Sequence, residues 1–372
     1  MNGLVLSGGG ARAAYQVGVL SYIAEKAPEV GYPIIVGVSA GAINAAFLAG
    51  HRGSPPETLQ WLANCWTSLS TERVFDTNFG VLGLTGARWL WTLGGGGTSL
   101  GPPVKSLLDT SPLRRFLEEQ LSVEGIAMNV ADGRLRALGL TATRYATGQS
   151  VTFVQGVEDV PTWERVRRCG LATKISVDHV MASGSIPLIF PAIPVDGEYY
   201  GDGSIRLAAP LAPAIHLGAD RLLAIATRYS PTLDEVRALA TTGYPPPAQL
   251  LSALLNSIFL DALEADAERL QRINRLLSAL PPGRSSLDGL RPIELFVIRP
   301  SRDLGLLAEE HKRRLPRSLR FLLRGLGSHR THGSELLSYL IFEAPFISRV
   351  LELGYEDALT RWDEIERFFA GE

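Results

Sequence analysis

The hexapeptide Val36-Gly37-Val38-Ser39-Ala40-Gly41 constrains this chain more than any other stretch. It is a G-x-S-x-G sequence. β-Branched Ile34, Ile35 and Val36 before it suit a short buried strand, and the Ala-rich residues 42–49 after it suit a helix ending at Gly50. Ser39 then occupies a sharp, strained strand-to-helix turn, with Gly37 and Gly41 leaving room for the two elements to approach. The helix N-terminus beneath its hydroxyl offers free N–H groups and a positive dipole end, which stabilise negative charge developing in acyl transfer. This is a nucleophile elbow. A small-residue turn used only for packing would share the pattern, and the strand-turn-helix context favours chemistry over it.

Residues 4–6 predict an earlier buried strand, followed at once by Gly8-Gly9-Gly10-Ala11-Arg12 and a helical pattern through Ala14, Val17, Val19, Leu20 and Ile23. A glycine loop between strand and helix exposes successive N–H groups and can cradle an anion. No Lys-Ser or Lys-Thr follows as in a P-loop, and the glycines do not fit G-x-G-x-x-G, so nucleotide binding is disfavoured. An oxyanion hole at Gly8, Gly9 and Gly10 fits better. Arg12 has two readings of equal weight: a guanidinium near the site, or a structural hydrogen-bonding arginine.

The glycine loop and, fewer than thirty residues later, Gly37-Val38-Ser39-Ala40-Gly41 resemble the patatin-like phospholipase family, lipid acyl hydrolases with a Ser-Asp dyad. The resemblance implies a downstream Asp-Gly-Gly or similar turn, and the chain has Gly201-Asp202-Gly203-Ser204. The preceding residues 182–191, Ala-Ser-Gly-Ser-Ile-Pro-Leu-Ile-Phe-Pro, look like the family's segment before its aspartate. Two positions depart from the pattern: Ala13 stands where many members have glycine, and Ser204 replaces the second glycine after the aspartate. A serine hydroxyl needs a base to become a nucleophile. The resemblance assigns that role to Asp202, with Ser39 attacking an ester carbonyl and the glycine loop holding the oxyanion. An ordinary turn aspartate is the bland alternative.

Other functions stay open at this point. A Ser-Asp-His triad would draw on His216, His311, His329 or His332, although the elbow here follows only the second strand, earlier than in α/β-hydrolases. His179 precedes Asp202 and reads as packed in a helix. Acyltransferase chemistry with a histidine base, and a non-catalytic lipid-binding protein of the same fold, are the remaining alternatives.

Strands expected at 138–143 and 151–154 flank a hairpin turn at 146–149, and further strands are expected at 222–227 and 295–298. Helices are expected at 59–69, from 111, over 175–183 and over 250–280, and from there to residue 369 most of the chain reads as helical. Alternating strands and helices imply a three-layer α/β/α fold with a mainly parallel central sheet, patatin-like, plus C-terminal helices. We expect a catalytic α/β domain at 1–230 and a mostly helical portion at 231–372 packed on it. The latter also resembles bacterial patatin-like proteins, through less specific segments.

A net charge of −2 gives no general attraction to nucleic acid, and Cys65 and Cys169 fit no metal spacing. No cofactor or metal is expected, and the expected partner is a lipid or ester substrate. The N-terminus lacks a basic region and a signal-length apolar run, so the expected location is cytoplasmic, with membrane association open. Residues 80–103, apolar and glycine-hinged around Trp89 and Trp91, read equally as a lid or as a packed connection. Residues 311–334 carry seven Lys or Arg and no acid, with leucines at helical spacing. They read as a membrane-facing helix or, slightly favoured, as a helix packed on the core.

Overall fold

The structure is a computed structural model and describes residues 1–76, 106–231, 234–235, 262–280, 290–317, 320 and 334–371. The expected lid at 80–103, the first part of the helix expected at 250–280, and most of the basic segment at 311–334 lie outside the described residues. So do His329 and His332.

Strand β1 (Asn2–Leu6) leads through the glycine loop and a 3-10 turn (Gly10–Ala13) into helix α1 (Ala14–Lys26). Strand β2 (Ile34–Val38) is buried at every position, and helix α2 (Ala40–Gly50) begins directly after Ser39. Helix α3 (Pro55–Thr67) is started by a capping box, in which Ser54 N–H and hydroxyl both donate to Glu57, with proline in the first turn. Next come α4 (Ser111–Gln120) and α5 (Val123–Ala131), then the hairpin of β3 (Ala137–Arg144) and β4 (Gln149–Gly156). Short strands β5 (Trp163–Arg165) and β6 (Arg168–Ala172) precede α6 (Val177–Ser183). A second hairpin, β7 (Ile193–Val195) and β8 (Glu198–Asp202), is followed by α7 (Ala212–His216) and β9 (Arg221–Ile225). The C-terminal part supplies α8 (Ala262–Ser278), β10 (Glu294–Ile298), α9 (Leu304–His311), α10 (Ser334–Leu340), α11 (Ala344–Thr360) and α12 (Trp362–Ala370).

The strands form one sheet in the order β10-β9-β1-β2-β3-β4-β6-β5, with β8 also pairing to β3 and β7 to β8. From β10 to β3 all neighbours are parallel, and antiparallel pairs lie beyond β3. Alternate residues of the parallel strands enter two separate cores, as the two-residue period of a strand requires. Leu4, Leu6, Ile35, Leu223 and Ile225 join the larger core with α1, α2, α3 and α11. Val5, Ile34, Val36, Leu222 and Ala224 join the smaller one with α7 and α8. The fold is thus three-layered around a mostly parallel sheet. α11 lies along α1, where Tyr22 and Tyr355 meet edge-to-face at 4.9 Å and the Tyr15 hydroxyl donates to Asp357 at 2.9 Å. At the start of the basic segment Leu315 is buried, and Lys312 pairs with Glu309 at 3.3 Å.

Candidate active site

The register of the sheet brings the two candidate reactive residues together. Val38, the last residue of β2, pairs with Thr141 of β3, and Ala142 of β3 pairs with Asp202 at the end of antiparallel β8. Ser39 and Asp202 therefore meet across β3. The glycine loop leaves β1 beside β2, where Leu6 pairs with Gly37. All three motifs converge at the carboxyl edge of the parallel strands, the edge where open α/β sheets bind ligands.

Ser39 is 4% exposed and holds φ 57° and ψ −132°, outside the regions a non-glycine residue normally visits. Such a conformation costs on the order of 1–3 kcal/mol and persists only where its surroundings enforce it. Part of the enforcement is the Ser39 N–H, which donates to Ser183 Oγ at 3.0 Å, while the Ser183 hydroxyl donates to the Thr141 carbonyl at 2.6 Å. The other part is close packing: a Cβ on Gly41 would collide with the carbonyls of Leu6 and Ser7, and one on Gly37 with the Gly41 carbonyl.

Asp202 is fully buried. Its N–H donates to the Ser185 carbonyl at 2.8 Å, its carbonyl accepts from the Thr143 hydroxyl at 2.9 Å, and Oδ1 accepts from the Ser204 N–H at 2.9 Å. Burial pushes its carboxyl from the ordinary 3.8 up to about 6, against a smaller pull downward from the Ser39 hydroxyl and the N–H and hydroxyl of Ser204. Those hydroxyls are near the carboxylate without full hydrogen-bond geometry, since neither Asp202 Oδ2 nor Ser204 Oγ has a partner. A hydroxyl rotates freely, and catalytic hydrogen bonds commonly tighten only when substrate is present, so the downward pull is one of proximity.

Gly8 lies against Ser39, with 2.9 Å separating the position of a Cβ there from Ser39 Cβ. Its carbonyl accepts from the Thr227 hydroxyl at 2.5 Å, and the Ser7 carbonyl accepts from Gln16 Nε2 at 2.8 Å. Among the described residues the N–H groups of Gly8, Gly9 and Gly10 donate to no protein acceptor. Gly10 adopts φ 55° with the Tyr339 carbonyl packed against it. Arg12 is 2% exposed; its Nε donates to Ser338 Oγ at 2.6 Å and its guanidinium lies 4.5 Å over the Tyr339 ring.

Beside Ser39 opens an apolar cavity of about 50 Å³, lined by Gly10, Ile43, Phe47, Trp66 and Phe116 and, from the C-terminal part, by Tyr339, Leu340 and Phe342. Trp66 is fixed by donating from Nε1 to Asn44 Oδ1 at 2.8 Å, and Phe342 stacks on Trp66 at 6.4 Å.

The described histidines sit elsewhere. His179 Nδ1 bonds Ser176 and its ring meets Phe153 edge-on, His216 stacks on Trp163 at 4.7 Å, and His311 Nδ1 bonds the Leu307 carbonyl. Among the described residues no group of His, Cys, Asp and Glu is placed to hold a metal ion, and no helix is long and apolar enough to cross a membrane.

Residues 4–215 match the model of the patatin-like phospholipase family. The chain belongs to that family. The matched span contains the glycine loop, the elbow and Asp202, so this patatin-like protein shares the class of lipid acyl hydrolases. Among solved structures it is similar to VipD from Legionella pneumophila, at 13% identity and TM-score 0.37 over 98% of this chain and 67% of that one. It is also similar to the type III effector protein ExoU, at 16% identity and TM-score 0.25 over 90% and 76%. None of the curated proteins matches it.

Sequence reasoning missed several residues of this site. Ser183 lay inside the segment quoted for its family likeness, but nothing local marks it as the acceptor for the Ser39 N–H. Thr227 and the wall at Tyr339–Phe342 lie beyond the family match and reach the site only through tertiary packing.

Proposed function

We propose that this protein is a serine acyl hydrolase that cleaves fatty-acyl esters of lipids through a Ser39-Asp202 dyad. The observation that carries the proposal is a strained serine and a fully buried carboxylate converging across β3, the serine opening on an apolar cavity. Asp202 takes the Ser39 proton as Oγ attacks the ester carbonyl. The N–H groups of Gly8, Gly9 and Gly10 receive the developing oxyanion. When the tetrahedral intermediate collapses, Asp202 returns the proton to the leaving alcohol. Water, deprotonated by the same carboxylate, then attacks the acyl-enzyme; the ester bond to Ser39 breaks, Asp202 gives the proton to Ser39 Oγ, and the fatty acid leaves.

A carboxyl raised to about 6 suits this duty, being ionised at neutral pH yet more basic than an exposed aspartate. In this reading Arg12 supports the glycine loop through α10, Gly37 and Gly41 permit the elbow, and the apolar cavity takes acyl chain. The dyad and the glycine loop lie within residues 1–230, while the part beyond adds β10 to the sheet and Tyr339, Leu340 and Phe342 to the cavity wall. No cofactor enters the reaction. A cytoplasmic protein that meets lipid at a membrane surface fits the substrate class, and sedimentation with anionic vesicles tests that contact.

The deciding experiment is hydrolysis of phospholipids, lysolipids and short-chain esters by wild type, Ser39→Ala and Asp202→Asn, with a fluorophosphonate probe to label the nucleophile. Both variants should lose most activity while staying folded, and the double variant should be no worse. Robust hydrolysis by Asp202→Asn would transfer the base to another residue. A wild type that neither hydrolyses esters nor labels at Ser39 would leave a lipid-binding protein.

A further inference from the structure

Ser204 stands where the sequence departs from the family's second glycine, and the structure places it against the base. Its N–H donates to Asp202 Oδ1 at 2.9 Å as Asp202 caps the 3-10 turn Gly203–Ile205. Its hydroxyl is buried and without a partner, and so is Asp202 Oδ2. A buried hydroxyl and a buried carboxylate oxygen, both orphaned two residues apart, form an unusual pair, because such groups are nearly always satisfied. Gly8 locates them further: a Cβ there would lie 3.0 Å from Ser204 Oγ and 3.5 Å from Ser39 Oγ, so both hydroxyls face the same side of the glycine loop. A glycine at 204 would supply the N–H alone.

We propose that Ser204 is a positioning residue for the base: its hydroxyl donates to the Asp202 carboxylate, fixing the rotamer that receives the Ser39 proton and favouring the ionised form. The inference rests on the hydrolase reading above. Ser204 transfers no proton; it keeps its own while that of Ser39 moves to Asp202. A carboxylate can accept from Ser39 and Ser204 together, so the second donor need not displace the nucleophile. The direction in which the Ser204 hydroxyl moves the Asp202 carboxyl, downward against the rise from burial, agrees with this role.

Except for Tyr145, the other ionisable groups around this strand end are engaged apart from Asp202. On β3, Arg144 pairs with Glu198 at 2.9 Å, and on α6, Asp178 pairs with Arg114 at 2.6 Å while His179 bonds Ser176. Asp196, on the β7–β8 turn, acts on His179. Arg206, following the 3-10 turn, lies over Gly148. Burial and, less strongly, the Asp202 charge raise the Tyr145 phenol, so it stays neutral through the acid range.

The test is the pH dependence of kcat/KM on a soluble short-chain ester for wild type, Ser204→Ala and Ser204→Gly, with the rate of fluorophosphonate labelling at Ser39 followed over the same range. A hydrogen bond to a charged acceptor is worth roughly tenfold or more in an equilibrium. The acid limb should therefore move up by about one pH unit in both variants, with about tenfold less activity below the limb and a smaller loss on the plateau above about pH 8. A purely structural serine would lower the rate at every pH without moving the limb. The labelling rate reads the same limb if turnover is too weak in a variant. An active wild type whose limb neither variant moves overturns this inference alone; a wild type that neither hydrolyses esters nor labels at Ser39 removes the hydrolase reading and this inference with it.

Discussion

Replacing Asp202 by Asn should abolish activity and at the same time make the protein more stable at neutral pH. The folded carboxyl binds its proton at about 6, against an ordinary 3.8 in the unfolded chain. Between those values the folded state is protonated and the unfolded state is not, so protons favour folding. Stability contributed by this group is accordingly present near pH 4 and lost as pH rises through 6. A difference of roughly two pH units, at about 1.36 kcal/mol each, sets the loss on the order of 3 kcal/mol above pH 7. Asp202→Asn keeps the shape and an oxygen to accept the Ser204 N–H, and removes the buried charge. Urea unfolding at pH 4, 6 and 8 should find the variant about as stable as wild type at pH 4 and on the order of 2–3 kcal/mol more stable at pH 8. A variant less stable than wild type at pH 8, or a gap that does not change with pH, would refute the reasoning. Either result would mean that the carboxylate is better compensated in the fold than its burial implies.

Ser39→Ala should lower kcat on short esters by at least about 10³-fold and leave the unfolding midpoint unchanged or raised, since alanine removes the reactive group but keeps the strained turn. Phe342→Ala opens the cavity wall beside Trp66, so the acyl-length optimum should lengthen, kcat/KM gaining roughly fourfold per added methylene at about 0.8 kcal/mol each until the space fills. Parallel chain-length profiles for wild type and variant would place the acyl chain elsewhere. Arg12→Ala removes a charge-assisted hydrogen bond and a buried cation–π contact, for a predicted loss of about 3–5 kcal/mol by chemical unfolding, and Arg12→Lys should recover less than half because lysine lacks the planar fork. A loss below about 1 kcal/mol would show that α10 is held to the glycine loop without Arg12. Ser183→Ala strands the buried Ser39 N–H and should reduce kcat more than it raises KM, because the elbow relaxes while the acyl cavity stays intact.

How much of this was legible in the sequence divides by the range of the interaction. The elbow was legible because its causes are local: β-branched Ile34–Val38 builds the strand, alanine-rich residues build the helix, and φ 57° at Ser39 follows from joining them with no intervening loop. The parallel core was legible for the same reason, since β1, β9 and β10 are short apolar runs of strand length. β8 was not, because Glu198-Tyr199-Tyr200-Gly201-Asp202 has no apolar pattern and becomes a strand only by pairing with β3 and β7. The sequence marked Asp202 as a turn residue, whereas its reach to Ser39 depends on that pairing. Arg12 was ambiguous because its partner lies on α10, and neither Ser338 nor Tyr339 carries any mark of belonging to a site. Gly10 joins the two regimes. Its need for φ 55° is a local property that a glycine run advertises, but the Tyr339 carbonyl packed against its Cα comes from the other end of the chain. The glycine loop is therefore a local motif whose shape is held by a distant segment, and under the proposed mechanism a change in α10 should reach the chemistry through Gly10 and Arg12 without touching substrate.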